Sequence, residues 1–69
     1  MENTVCLFVN KKEVKVEEGC TVEKLLEILG YSPRSSVWVN GNQLYLRDYS
    51  HTALKEQDQV KIIRILGGG

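Results

Sequence analysis

Two stretches near the N-terminus have the pattern of a β-hairpin. Residues 4–9 (TVCLFV) are mostly β-branched, aliphatic or aromatic, and residues 13–17 (EVKVE) alternate charged and apolar positions. Both patterns are typical of strands. The polar segment between them, Asn10 to Lys12, predicts a turn. An antiparallel register then puts the apolar side chains on one face of the sheet, namely Val5, Leu7, Val9, Val14 and Val16.

The next segment, residues 21–29, has the periodicity of an amphipathic helix. Its apolar positions follow the spacing i, i+3, i+4, i+7, which forms one stripe: Val22, Leu25, Leu26 and Leu29. Thr21 is suited to cap the helix N-terminus, and Gly30 stands where a left-handed C-terminal residue is expected. Pro33 prevents the helix from resuming.

The remainder of the chain predicts a second hairpin and a final strand. Residues 36–39 (SVWV) form a strand, Asn40-Gly41 is a strong hairpin signal, and residues 42–46 return as a short strand. Residues 47–58 are polar, and residues 59–66 form the last strand. Within the polar segment, the side chains expected to anchor it to the core are Tyr49, Ala53 and Leu54.

The order hairpin, helix, hairpin, strand predicts an α+β fold. A single helix needs one mixed sheet, of four to five strands, wrapped around it. The most economical arrangement puts the last strand parallel to the first, which is the β-grasp or ubiquitin-like architecture. We expect residues 1–66 to form this domain and residues 67–69 to form a flexible glycine tail.

Composition narrows the classes of function. A chain of 69 residues makes one small domain, too small for a large enzyme with its own cofactor crevice. Nine basic residues balance nine acidic ones, so charge gives no reason to expect nucleic acid or an anionic membrane as partner. The early apolar run is too short for a membrane span, and the first residues lack the basic segment of a secretory signal. We therefore expect a cytoplasmic protein that is a monomer when free.

The side chains offer no catalytic constellation. His51 is the single histidine and lies in a polar stretch, which indicates a surface residue. The two cysteines cannot form a four-cysteine metal site, so we expect no bound metal or cofactor. Cys6 and Cys20 are expected to pack as small apolar residues. Cys20 precedes the helix start, where the helix N-terminus can lower a thiol pKa.

The C-terminus is the most unusual feature of the sequence. Ile62 to Leu66 leads directly into Gly67-Gly68-Gly69. Glycine has no Cβ and cannot contribute packing, and the segment 66–69 reaches about 13 Å when extended. Such a tail can thread a narrow channel and deliver the terminal carboxylate of Gly69 to another protein. A frayed terminus or a cloning remnant is the alternative reading.

Strand alternation also predicts a surface for a partner. If Val60 and Ile62 face the helix, alternation sends neighbouring apolar side chains to the opposite face of the sheet. The partner-binding residues expected there, next to the tail, are Phe8, Trp38, Ile63, Ile65 and Leu66. A bulge near Arg64 would instead return Ile63 or Ile65 to the core.

Taken with these motifs, the whole chain resembles the ThiS/MoaD family of sulfur carrier proteins. It is most similar to the ThiS branch, because the proline often found before the glycines of the molybdopterin-pathway carriers is absent. Gln57 departs from the family pattern, in which glycine is common, and indicates a slightly strained turn. The segments that carry the resemblance are Phe8-Val9-Asn10, Gly19-x-Thr21-Val22-x-x-Leu25-Leu26, Val37-Trp38-Val39-Asn40-Gly41, Leu54 to Val60, and Gly68-Gly69.

The resemblance implies a co-substrate rather than an enzyme. A ThiF-like adenylating enzyme would activate Gly69 with ATP and Mg²⁺, and sulfur from a cysteine desulfurase relay would then displace AMP. The product is a C-terminal thiocarboxylate, which a ThiG-like thiazole synthase accepts in the thiamine pathway.

Three alternatives remain open from the sequence. The sulfur could go to molybdopterin, tungstopterin or another sulfur metabolite. The chain could instead be a ubiquitin-like modifier joined to lysines through Gly69. It could also be a plain β-grasp interaction module with an artificial tail, in which case loss of Gly67 to Gly69 would not affect function.

Overall fold

A computed structural model describes residues 3–64 of the chain, and its elements follow the predicted order. Within these residues the elements are β1 (Thr4–Val9), β2 (Lys12–Glu17), α1 (Val22–Leu29), β3 (Ser36–Val39), β4 (Asn42–Gln43), a 3₁₀ turn (Leu46–Asp48) and β5 (Gln59–Ile63). The strands form one sheet in the order β2-β1-β5-β3-β4. β5 is parallel to β1 and antiparallel to β3, so the last strand completes the centre of a mixed sheet. The predicted β-grasp arrangement is confirmed.

The first hairpin has the predicted register. Val5 lies opposite Val16, and Leu7 lies opposite Val14, so the apolar positions of both strands share the face that meets the helix. The turn between the strands has positive φ at both central residues, Asn10 (50°) and Lys11 (71°). This is the type I′ geometry whose twist matches that of the flanking strands.

The caps of α1 are those that the sequence predicts. The Thr21 hydroxyl accepts a hydrogen bond from the Lys24 N–H at 3.2 Å. At the other end Gly30 adopts the left-handed conformation, with φ 79°. The Tyr31 N–H then donates to the Leu26 carbonyl at 2.9 Å, which closes a Schellman-type end.

The core lies between the helix and one face of the sheet. Val22, Leu25 and Leu26 of α1 are almost fully buried. They pack against the inward-facing strand residues and three loop residues, namely Val5, Leu7, Val9, Val16, Val37, Val60, Ile62, Cys20, Tyr49 and Leu54. Burial of these apolar side chains is the main stabilising contribution to a domain of this size.

The predicted fourth strand, residues 42–46, is shorter than expected. Only Asn42–Gln43 pairs with β3 as a strand, and Tyr45 and Leu46 are 68% and 56% exposed. The chain instead forms a 3₁₀ turn that brings Tyr49 into the core. There the Tyr49 hydroxyl donates to the Ser35 carbonyl at 2.8 Å. Burial of Tyr49 therefore ends the strand early.

Two further expectations need correction. Ala53 is exposed and makes an isolated bridge with Thr21, so of the predicted anchors only Tyr49 and Leu54 are buried. The final strand was expected to extend to Leu66, but β5 ends at Ile63, and Arg64 is no longer in the strand. Residues 65–69, which include the predicted glycine tail, lie outside the described residues.

Candidate functional site

The face of the sheet opposite α1, called the outer face below, carries the predicted partner-binding residues that the structure describes. Phe8 and Trp38 are half-buried there, and each lies next to inward-facing core residues along its strand. Ile63 is 45% exposed, and β5 alternates regularly, so no bulge returns it to the core. Two other predicted residues, Ile65 and Leu66, lie outside the described residues, as do Gly67, Gly68 and Gly69.

The apolar residues of the outer face do not form one continuous patch. Trp38 pairs with Lys61 across β3 and β5, and Phe8 pairs with Gln59 across β1 and β5. Polar β5 side chains therefore stand between the two aromatic rings. β5 presents Gln59 and Lys61 on this face as well as Ile63, so the apolar side chains expected to bind a partner alternate with polar ones.

A groove follows β5 between the two hairpin turns. Lys11 of the first turn and Gly41 of the second contribute to its lining, as do Trp38 and Lys61. A Cβ built on Gly41 would meet nothing within 4 Å, so this end of the groove is open. The groove thus offers one aromatic side chain, Trp38, and two lysines, Lys11 and Lys61, in the same lining.

Asn10 holds the end of β5 through its side chain. Its amide oxygen accepts a hydrogen bond from the Ile62 N–H at 2.8 Å, and its amide nitrogen donates to the Ile62 carbonyl at 3.2 Å. β1 ends at Val9, so no neighbouring strand pairs with Ile62 on that side. The Asn10 amide takes the place of a missing strand residue and satisfies both backbone groups.

Asn40 acts in the same way at the beginning of β5. Its amide oxygen accepts a hydrogen bond from the Gln59 N–H at 2.9 Å, and its amide nitrogen donates to the Asp58 carboxylate at 3.0 Å. The local sequence pattern indicates Asn10 and Asn40 only as turn residues. The available signal was that both predicted hairpin turns begin with asparagine, a residue that tolerates positive φ and also carries an amide.

Arg64 is the last residue that the structure describes. The end of the sheet around this residue is called the exit end below. The Arg64 guanidinium lies over the Tyr31 ring, 4.8 Å from its centroid. The Tyr31 hydroxyl in turn accepts a hydrogen bond from the Asn10 amide at 3.3 Å. Asn10, Tyr31 and Arg64 therefore connect the first turn, the end of the helix and the residue that precedes the C-terminal segment.

Each of the two thiols has a pKa above its usual value. The Cys6 thiol donates a hydrogen bond to the Glu13 carboxylate at 2.9 Å, and this bond, with some burial and nearby negative charge, raises its pKa. Burial raises the pKa of Cys20, and the opposing effect of Lys24 is smaller. The pKa of Cys20 is thus raised on balance, although the residue precedes a helix N-terminus, because desolvation of the thiolate dominates.

Other candidate groups contribute nothing to this site. His51 is exposed, as the sequence predicts for a surface histidine. No group of three His, Cys, Asp or Glu side chains within residues 3–64 could hold a metal ion. In the same part of the chain, no helix is long and apolar enough to cross a membrane.

Comparisons with known proteins identify relatives over nearly the whole chain. A model of the ThiS family matches residues 3–69. The crystal structure of the thiamine biosynthesis protein ThiS from Geobacter metallireducens is 30% identical, with a TM-score of 0.79 over 94% of this chain and 100% of that chain. The solution structure of a thiamine biosynthesis protein from the same organism is also 30% identical, with a TM-score of 0.76 over 94% and 88%. No curated protein sequence matches the chain.

The family match and the structural match agree with each other and with the resemblance drawn from the sequence motifs. The family model covers all of the described residues, and the Geobacter structure shares the fold over almost the full length. This chain belongs to the ThiS family of small sulfur carrier proteins.

Proposed function

We propose that the chain carries sulfur as a thiocarboxylate on Gly69 and donates it for thiazole formation in thiamine biosynthesis. The observation that carries this proposal is membership of the ThiS family over residues 3–69. Both Geobacter structures to which the chain is similar belong to thiamine biosynthesis proteins. We also propose the cytoplasm as the compartment of this sulfur transfer.

The proposed chemistry needs little from this chain beyond a reachable carboxylate. A free carboxylate is a poor electrophile, so a ThiF-like partner, using its own ATP and Mg²⁺, would join Gly69 to AMP and release pyrophosphate. A persulfide from a cysteine desulfurase relay then attacks the activated carbonyl and AMP leaves. A second thiol cleaves the resulting acyl disulfide, which frees the thiocarboxylate and leaves the relay cysteine and that thiol joined as a disulfide. Glycine leaves that carbonyl unhindered, because it has no Cβ. A ThiG-like thiazole synthase receives the sulfur.

The described residues support this role by presenting the segment that follows Arg64. β5 lies at the centre of the sheet, between β1 and β3. Near its C-terminal end, the Asn10 side chain forms hydrogen bonds with the backbone of Ile62. The outer face, with Phe8, Trp38 and Ile63, lies beside this end and is the surface proposed to contact the adenylating partner. The folded domain thus serves as the part that the partner enzymes bind, and the partners carry out the catalysis.

A reconstituted reaction tests the proposal. The chain is incubated with a ThiF-type enzyme, ATP, Mg²⁺, cysteine, the desulfurase relay and a thiol reductant, and the product is then given to thiazole synthase. We expect a thiocarboxylate on Gly69 and sulfur in the thiazole ring. A loaded chain that supplies molybdopterin synthase but not thiazole synthase would contradict the thiamine assignment. Isopeptide bonds between Gly69 and lysines of other proteins would instead support the alternative that the chain is a ubiquitin-like modifier.

A matched pair of substitutions tests the docking surface. Ile63→Asp changes an isoleucine that is 45% exposed on the outer face, and Ile28→Asp changes one that is 54% exposed on the helix. We expect Ile63→Asp to raise the KM of the adenylating enzyme for the carrier, with Ile28→Asp close to the unmodified chain. Equal KM values for the two variants would show that the outer face is not the docking surface. Phe8→Asp is less suitable, because Phe8 lies opposite Glu13.

A further inference from the structure

The charges of this chain balance, but they are not evenly distributed. Exposed cationic residues lie at or next to the exit end, and they come from the first hairpin, the segment before β3 and the region of β5: Lys11, Lys12, Arg34, Lys61 and Arg64. Arg34 belongs to this group because it lies just before β3, whose first residue, Ser36, pairs with Ile63.

The acidic residues lie mostly elsewhere. Glu17 and Glu18 lie at the far end of the first hairpin, and Glu56 and Asp58 lie in the loop that leads into β5. Glu13 is the nearest to the cations in sequence, and its carboxylate accepts a hydrogen bond from the Cys6 thiol. The one ion pair within residues 3–64 joins Lys24 to Glu27 on the helix. The cations of the exit end therefore have no carboxylate partner among the described residues.

The groove along β5 gives two of these cations a defined geometry. Lys11 and Lys61 both line it, and Trp38 provides an aromatic surface in the same groove. Lys61 and Trp38 are direct neighbours across β3 and β5. An extended peptide with acidic side chains and one apolar side chain would complement this groove in both charge and polarity.

We propose that this groove docks an acidic segment of the adenylating partner, with carboxylates near Lys11 and Lys61 and an apolar side chain against Trp38. The identity of the partner rests on the proposed function, but the chemistry of the docked segment follows from the groove. Opposite charges on the two surfaces raise the rate of encounter and fix the orientation of the complex. This orientation points the exit end towards the partner, as delivery of Gly69 requires.

Charge reversal tests the proposal. The double variant Lys11→Glu/Lys61→Glu is compared with Lys55→Glu, which reverses an exposed lysine in the loop before β5. Calorimetry measures the Kd of each carrier for the ThiF-type enzyme. We expect the double variant to raise Kd by about ten-fold or more at low salt, and Lys55→Glu to change it less than about two-fold. We also expect the affinity of the unmodified chain to fall as salt rises from about 50 to about 300 mM.

Three results would overturn the proposal. One is an equal change in Kd for the double variant and for Lys55→Glu, since the effect would then be one of overall charge. Another is an affinity that does not respond to salt. The third is tight binding of a single-stranded oligonucleotide probe that the double variant abolishes while affinity for the enzyme is unchanged. Melting temperatures of all variants show whether the fold is retained.

The same samples separate this inference from the proposed function. If the unmodified chain becomes loaded with sulfur and the double variant binds the enzyme normally, only the acidic docking segment is wrong. If the unmodified chain is never loaded at Gly69, the sulfur carrier assignment fails, whatever the lysine variants show.

Discussion

Asparagine serves a double purpose at each hairpin turn. The backbone φ is 50° at Asn10 and 52° at Asn40, a left-handed conformation that asparagine tolerates better than most residues. Each side chain also reaches β5. The Asn10 amide bonds to both backbone groups of Ile62, and the Asn40 amide accepts from the Gln59 N–H and donates to the Asp58 carboxylate just before the strand. Aspartate would tolerate the same backbone but would lack the N–H donor. Glycine would tolerate it but would have no side chain at all.

The substitution Asn10→Gly isolates the side-chain contribution, because glycine keeps the turn geometry. Loss of the two hydrogen bonds to Ile62 should lower the free energy of unfolding by about 1 kcal/mol. The Ile62 amide should also exchange faster with solvent deuterium. Urea unfolding and amide exchange measure the two effects.

Lys11→Gly is the matched control in the same turn. Lys11 has φ 71°, so glycine relieves backbone strain there, and we expect unchanged or higher stability. Increased stability in Asn10→Gly, with normal exchange at Ile62, would contradict the role assigned to the Asn10 amide.

The raised thiol pKa values lead to a prediction about reactivity. At neutral pH we expect iodoacetamide to modify both cysteines of the folded chain slowly, and the buried Cys20 more slowly than Cys6. Peptide mass mapping measures the two rates, and the chain in urea provides the reference. Faster modification of Cys20 in the folded chain than in urea would contradict the burial effect.

The same shifts affect stability at alkaline pH. Folding raises the pKa of Cys20 above its usual value of 9.0, so the folded state holds this proton more tightly than the unfolded state. The resulting contribution is complete below pH 9 and is lost as pH rises above it. We expect Cys20→Ala to make this alkaline loss shallower.

At the scale of elements, the turn before β5 is the clearest case of a strained local structure. Gln57 has φ 67°, which fits the third residue of a type II turn. The Asp58 N–H closes this turn by donating to the Lys55 carbonyl at 3.1 Å, and the Gln57 N–H donates to the Cys6 carbonyl at 2.6 Å. Sequence comparison with the family pattern indicated strain here, and the backbone conformation confirms it.

Replacing Gln57 with glycine should therefore stabilise the domain. The hydrogen bond from the backbone N–H remains, and the left-handed conformation costs about 1 kcal/mol less for glycine, with part of this gain lost to backbone entropy. Thermal unfolding should show a rise of a few degrees in Tm for a domain of this length. Gln59→Gly, a change within β5, should lower Tm instead. A lower Tm for Gln57→Gly would show that the Gln57 side chain stabilises the fold by more than its left-handed backbone conformation destabilises it.

The elements differ in how well their residues predict them. The first hairpin and α1 follow from alternation and from a helical apolar stripe, because local signals and burial agree there. The fourth strand does not, because the local pattern of residues 42–46 competes with burial of Tyr49, which is a tertiary effect. For the site, alternation predicted the outer face correctly. The hydrogen bonds of Asn10 and Asn40 to β5 depend on contacts between distant parts of the chain, and no local pattern shows them.

At the scale of the whole molecule, β5 connects the parts of the site. It pairs with β1 and β3, is held at both ends by asparagine side chains, and presents Lys61 and Ile63 on the outer face. Tyr31 links the end of the helix to Arg64. Through Tyr31 and Asn10, Arg64 is thus connected to the first hairpin turn as well as to the end of the helix.

The most direct test of sulfur carriage is the intact mass of the chain purified from its own host, followed by fragmentation of the C-terminal peptide. Exchange of one oxygen for one sulfur changes the mass by nearly the same amount as one oxidation of Met1, Cys6, Cys20 or Trp38, so the change must be localised. The account predicts that it lies on Gly69. A plain carboxylate on Gly69 in every preparation, including one supplied with ATP and the adenylating enzyme, would contradict it.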